Sequence, residues 1–350
     1  MTPEIFPKDR DFHENRYNAI QSLRGIASLF VILEHIRFLN CGAFGVDIFF
    51  CISGFMMMLT THKDTHFFFR KRLIRILPLY YMMTFLTWWA LLLFPEMFEQ
   101  TKAHPSLLIK SLLFIPFDIG GGVLQPLMRI GWTVNCEMFF YVLFFISLHI
   151  SHKYRGLICS CFLAAGVVLN GVMTVPSVPL SFYGNPIMLE FILGILCYYA
   201  AGAIYRLHCH RHLGSFVLPL CAAAAVILFA ALIWTKSGIN ILGLRRPLVW
   251  GIPGFLLTLC FFTIGLYIKL PKWSVSLGDM SFSVYLIHYY PVMLLDRLIF
   301  DFSAFSVNAL AGAFAAAALS LLCSRISWYL VEKRLTGFLK SLLCRPRATP

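Results

Sequence analysis

The sequence predicts an all-α, polytopic integral membrane bundle, and three observations carry that prediction. Hydrophobic residues fill 59% of the 350 positions and charged residues only 13%, about half the charged share of a water-soluble domain. Mean hydropathy is +0.77. Apolar stretches of the roughly 20 residues a spanning helix needs recur from one end of the chain to the other. A disordered chain, a secreted disulfide scaffold and a nucleic-acid module are excluded together. The last falls despite a net charge of +13, because no soluble basic face exists to carry it.

Residues 1–19 are polar, with Lys8, Asp9, Arg10, Asp11, Glu14 and Arg16. They contain no apolar core of a cleavable signal peptide, so they are expected to form a cytoplasmic N-terminal segment. Ten spans follow at 20–39, 44–61, 76–94, 131–150, 157–173, 185–204, 214–234, 248–268, 279–296 and 306–330, with ends set to about 2–4 residues. The run 107–117 is too short to cross and is stopped by Pro116, which makes it interfacial or re-entrant. Alanine runs at 222–225 and 315–318 let helices approach closely. No repeat relates the two halves, as an inverted-repeat transporter would require. Residues 20–333 thus form one transmembrane domain, followed by a basic cytoplasmic tail at 334–350.

Ten crossings place both termini on one side, and lysine and arginine choose that side. With cytoplasmic termini, 19 of the 29 basic residues lie inside and 8 outside, while Arg24 and Arg325 fall within spans. Arg245 and Arg246 are the exceptions to the bias, since they would lie outside. Net charge is therefore a matter of topology and of attraction to anionic lipid, and no nucleic-acid partner is needed. The 11 cysteines lie mostly in apolar runs with no matched CxxC pairs. They read as small buried hydrophobes, and no metal site is expected.

Ionisable residues inside spans are expensive and mark functional sites by default. Arg24 and His35 stand eleven residues apart in the first span. At about 100° per residue they share one helix face, about 16 Å apart along the axis. One stripe then carries an anion-binding group and a proton-transfer group. The bland alternative is a snorkelling arginine and a hydrogen-bonded interface histidine. Asp47, Glu137 and Glu190 begin the second, fourth and sixth spans at the depth of His35, and a carboxylate beside a histidine orients the ring and raises its basicity. At the other level, Arg72 and Arg75 continue at i and i+3 into an apolar helix, placed to hold phosphate bidentately, while Lys71 reads as a surface anchor. His288 lies near mid-membrane in the ninth span, where a structural hydrogen bond and a pocket role are equally good readings.

Taken together, the motifs resemble the membrane acyltransferase 3 family, and within it the branch that O-acetylates exopolysaccharide. The resemblance is carried by Ile20-Gln21-Ser22-Leu23-Arg24-Gly25 with His35, by Gly45-Val46-Asp47 with Ser53-Gly54-Phe55, and by Arg72-Leu73-Ile74-Arg75-Ile76-Leu77-Pro78-Leu79-Tyr80. It continues through Ser111 to Pro116, Trp132-Thr133-Val134-Asn135-Cys136-Glu137-Met138-Phe139-Phe140-Tyr141, Asn185-Pro186 with Glu190, and Ser283-Val284-Tyr285-Leu286-Ile287-His288. Cys136 stands where an aromatic is expected, and Arg334 where a proline often follows Glu332-Lys333. The resemblance implies transfer of an acyl group, acetyl above all, from acyl-CoA to a hydroxyl of an exopolysaccharide or lipid-linked glycan in a bacterial inner membrane. Acetyl-CoA is then a substrate, with no tightly bound cofactor. It makes Arg24 and His35 the essential pair, adds Tyr80 to the donor-binding arginines, and places Ser53, Trp132, Tyr285, Glu190 and His288 in the pocket. His35, oriented by Glu137 or Asp47, would act as general base or carry the acyl group itself. A transporter or flippase for a polysaccharide precursor or acyl group is the rival reading, and oligomerisation stays open.

The charge count makes a direct statement about sidedness. In a cysteine-free background, single reporters at Lys63 and Ser151 are expected to resist an impermeant thiol reagent in intact cells, while one at Ser177 is labelled. Labelling of Ser151 and Ser177 from the same side would break the ten-span arrangement.

Overall fold

A computed structural model describes residues 10–62, 65, 67–98, 103–120, 122–174, 177–211, 216–235 and 243–344. No strand forms among them, and a single bridge joins Asp118 to Leu124. The helices in chain order are α1 (Arg10–Glu34), α2 (Phe44–Thr60), α3 (Phe68–Leu93), α4 (Pro105–Leu112) and α5 (Trp132–Ile150). Next come α6 (Arg155–Val172), α7 (Val178–Tyr183), α8 (Leu189–Arg211), α9 (Val217–Trp234) and α10 (Ile252–Tyr267). The chain ends in α11 (Lys272–Asp279), α12 (Ser281–Ile287), α13 (Tyr289–Leu295), α14 (Val307–Ser327) and α15 (Thr336–Leu343).

Seven helical stretches among the described residues are long and apolar enough to cross a membrane: Phe68–Leu93, Arg129–Ile150, Arg155–Val172, Pro186–Cys209, Val217–Trp234, Pro247–Tyr267 and Val307–Leu343. They correspond to seven of the ten expected spans, and Phe44–Thr60 is a shorter apolar helix at the second. The first expected span, 20–39, begins within α1 and runs past its end at Glu34, and the polar start of α1 lowers that helix's mean hydropathy. The ninth, at 279–296, takes in the last residue of α11 and then α12 and α13, which run on through a helical His288 with the i→i−4 bonds kept on both sides. The short run before Pro116 is α4, stopped by a left-handed Phe114 at φ 57°. Of the expected N-terminal segment, residues 1–9 lie outside the described residues, and so do 345–350 of the expected tail.

Helix α9 shows what solvent these helices are built for. Only 11% of its apolar window is buried, and Val226, Ile227 and Trp234 point outward. An apolar helix with that little protein cover needs hydrocarbon around it.

Two compact units divide the described chain, one from 1–62 and 186–320, the other from 63–185 and 321–350. In the first, α2 packs on α8 through bare backbone: a Cβ at Gly54 would lie 2.2 Å from the Phe191 carbonyl oxygen, and one at Gly194 would lie 2.1 Å from that of Cys51. Small residues at a crossing replace the hydrophobic drive that lipid removes. α1 packs on α11 in the same manner. Beyond α1 the Glu34 carboxylate accepts the Gly42 and Ala43 N–H groups at 2.8 and 2.9 Å, neutralising open donors at the start of α2. Arg37 then ties the end of α1 to Asp296 and Asp301 at 2.8 and 2.9 Å.

The second unit is organised on α3, which packs against α4, α5 and α15. The Tyr80 and Tyr81 hydroxyls donate to the carbonyls of Ser111 and Leu112, each at 3.0 Å, and so anchor α4. α15 lies within the expected tail, yet it is part of this packing: Thr336 is buried and its hydroxyl donates to the Ile74 carbonyl at 3.4 Å.

The α2–α8 crossing yields a prediction. Gly54→Ala forces a methyl into a backbone oxygen and is expected to destabilise the protein by at least about 1–3 kcal/mol. Gly166→Ala, where a Cβ meets nothing within 4 Å, serves as the control and keeps the wild-type melting temperature in detergent.

Candidate active site

The first unit holds Arg24, His35, Asp47, Ser53, Glu190, Tyr285 and His288 of the residues singled out by sequence. His35 follows the last residue of α1, in a tightened turn where its N–H bonds the Ile32 carbonyl at 3.1 Å. Its Nδ1 lies 3.0 Å from the Val31 carbonyl and 3.2 Å from Nε2 of His288. His288 is wholly buried where α12 runs on into α13, and its Nδ1 lies 3.0 Å from the Val284 carbonyl. The two imidazoles meet edge to face, centroids 4.8 Å apart, and Tyr289 closes on His35 from another side at 5.4 Å.

An aromatic column runs from this pair toward Arg24. Tyr285 stands 6.1 Å from His288, Phe49 stands 6.2 Å from Tyr285, and the Arg24 guanidinium lies 6.0 Å from the Phe49 ring. Arg24 donates to Gln21 at 3.2 Å, and Gln21 in turn donates to Asp279 at 2.7 Å. The stripe along α1 thus keeps its histidine and its arginine on one aromatic wall. Ser53 is half-buried on α2.

Asp47 does not orient His35. It is wholly buried, and both its oxygens are taken by Arg246, from Nε at 2.9 Å and from Nη2 at 3.0 Å. Arg246 begins the π-helical turn Pro247–Gly251 that leads into α10, and its guanidinium also covers the Trp250 ring at 5.0 Å. The Glu190 carboxyl is buried beside Asp47, and no donor among the described residues reaches either oxygen. Arg246 is the partner that sequence reading missed. Its signal was there, because a cation placed against the charge bias needs a carboxylate to hold it.

Arg72, Arg75, Tyr80, Trp132 and Glu137 belong to the second unit. The Arg72 guanidinium lies 5.8 Å from the Tyr141 ring, and the Tyr141 hydroxyl donates to Glu137 one turn away on α5. Arg75 also acts electrostatically on Tyr141, and Lys340 of α15 lies in the field of Arg75, Arg72 and Lys71. Two corrections follow. Glu137 is not at a level of its own, apart from the arginines: α3 and α5 pack together and bring Arg72, Arg75, Tyr141 and Glu137 into one cluster. Tyr80 is no donor-binding group either, because it is fully buried and its hydroxyl is spent on Ser111. Trp132 is half-buried at the start of α5. An apolar cleft of about 310 Å³ in this unit, lined by Phe139, Leu163, Leu180 and Tyr183 among others, contains none of the predicted residues.

The chain belongs to the acyltransferase 3 family, whose acyltransferase domain matches residues 17–329. It is 30% identical over 265 residues to the exopolysaccharide production protein ExoZ of Rhizobium meliloti, covering 73% of this chain and 78% of that one. It is 28% identical over 347 residues to the putative membrane-bound transacylase BcsY of Komagataeibacter xylinus, covering 92% of this chain and 83% of the relative. No solved structure matches the chain.

The buried ion pair gives a test of its own. Arg246→Met leaves the Asp47 carboxylate buried without its cation and is expected to cost about 3–5 kcal/mol. Adding Asp47→Asn to that variant should restore most of the loss, as read in detergent melts across the double-mutant cycle.

Proposed function

We propose that this protein is a membrane-embedded O-acyltransferase that moves an acyl group, most simply acetyl, from acyl-CoA to a hydroxyl of an exopolysaccharide or lipid-linked glycan. In this reading the chain crosses a bacterial inner membrane about ten times with both termini in the cytoplasm. The donor comes from the cytoplasm and the acceptor is presented from the membrane. The observation that carries the proposal is the state of His35. It is a half-buried imidazole in an acyltransferase-family bundle, while Asp47, the carboxylate that begins α2, is already committed to Arg246.

His35 serves as the general base. As the sugar hydroxyl oxygen attacks the thioester carbonyl carbon, His35 takes the hydroxyl proton. The tetrahedral intermediate collapses, the carbon–sulfur bond breaks, and the departing thiolate takes that proton back from the imidazolium. The products are the ester and free CoA, with no net proton consumed. Arg72 and Arg75 in the second unit, and Arg24 in the first, are each assigned to donor phosphates, a task suited to the planar guanidinium fork. Lys340 adds to the positive field around Arg72 and Arg75. Family membership and the exopolysaccharide and transacylase names of the two relatives support this reading over a transporter or flippase.

The test is transfer of labelled acetyl from acetyl-CoA to glycan by purified protein. His35→Ala is expected to lower transfer by about 10²–10⁴-fold with normal abundance. Arg24→Lys should raise KM for the donor by about 10-fold or more, since one charge-assisted hydrogen bond contributes about 1.5–3 kcal/mol. Full activity of the His35→Ala protein would overturn the proposal.

A further inference from the structure

The two histidines also settle a question that the proposed reaction leaves open, namely which nitrogen of His35 is basic. A carbonyl oxygen can only accept a hydrogen bond. The Val284 carbonyl lies 3.0 Å from Nδ1 of His288, so that nitrogen carries the hydrogen. In the neutral ring Nε2 of His288 is then an acceptor, and it faces Nδ1 of His35 at 3.2 Å. The Val31 carbonyl faces the same Nδ1 at 3.0 Å. Two acceptors thus converge on Nδ1 of His35, which must be the N–H of the neutral imidazole. Its Nε2 is left with the lone pair.

We propose that His288 is the positioning residue for His35. It accepts the Nδ1–H bond, fixes the tautomer whose Nε2 takes the proton from the acceptor hydroxyl, and strengthens that bond when His35 becomes imidazolium. The logic is that of the aspartate in a serine-protease triad, carried out by a neutral ring. A neutral orienter suits this place, because a carboxylate buried there would need a cation of its own, as Asp47 does. The surroundings hold both rings in register. Ser320 of α14 donates to the His288 backbone carbonyl at 3.4 Å, and Arg37, two residues after His35, clasps Asp296 at 2.8 Å, eight residues after His288. The Tyr289 ring lies at 87° to His35 and packs against its edge or face at 5.4 Å.

This inference rests on the general-base role of His35, and the experiment separates the two. Full-length protein in detergent is assayed as wild type, His35→Ala, His288→Leu and His288→Gln. Leucine removes the acceptor, whereas the glutamine amide oxygen can stand near the position of Nε2. His288→Leu is expected to lose about 100-fold in kcat with KM for acetyl-CoA unchanged, and His288→Gln should regain at least about 10-fold of that loss. Wild-type kcat in His288→Leu, alongside an inactive His35→Ala, would overturn the positioning role and leave the base intact. An active His35→Ala would instead sink the base role. Should His288→Leu fail to fold, nitrogen-15 imidazole spectra of the wild type decide the matter. The resonances lost in His35→Ala must show a protonated Nδ1 and an unprotonated Nε2, and the reverse pattern overturns the proposal.

Discussion

Asp47 has no exposed surface at all, and its charge is tolerable only because Arg246 supplies both Nε and Nη2 to its two oxygens. Hydrocarbon provides no ion, no water and no donor, so a charge taken into this bundle has to bring its partner with it. That requirement shapes the first unit. The partner comes from a residue almost two hundred positions away, at the mouth of a π-helical turn, which fixes the start of α10 against α2. Glycine on glycine then brings α8 onto the same helix. The polar knot and the bare backbone crossing thus lie on one helix, α2.

The same constraint bears on the chemistry. In the proposed reaction the proton acceptor has to be a group other than Asp47, whose two oxygens are both taken by Arg246, and a neutral imidazole costs less than a charge in a place without water. His35 is also well supported. Glu34, immediately before it, holds the start of α2, and Arg37, just after it, holds the segment beyond α13. The turn that carries His35 is therefore clamped on both sides by charged contacts, while Nδ1 of His35 faces the Val31 carbonyl and Nε2 of His288.

In the second unit Arg72, Arg75 and Lys340 share one region with the Tyr141–Glu137 pair, and like charges gathered there suit the phosphate-bearing donor of the proposed reaction. α15 belongs to this arrangement, which gives the C-terminal basic stretch a part in the unit beyond that of a topological anchor.

The sequence by itself determined the solvent, the helical class, the places of the seven membrane-length helices, though it began the third eight residues late and ended the tenth thirteen residues early, and the family. Each depends on composition, on hydrophobic runs or on ordered local motifs, and so is written along the chain. It also singled out Arg24 and His35 as sharing one face, because a helix turns by a fixed angle per residue. Tertiary structure alone decided who meets whom. Arg246 takes Asp47, His288 takes His35, Tyr141 takes Glu137, and Tyr80 is spent on Ser111. Depth along a helix can be counted from sequence, but azimuth between helices cannot: it is set by where glycines let backbones touch and by which distant charge reaches a buried one first.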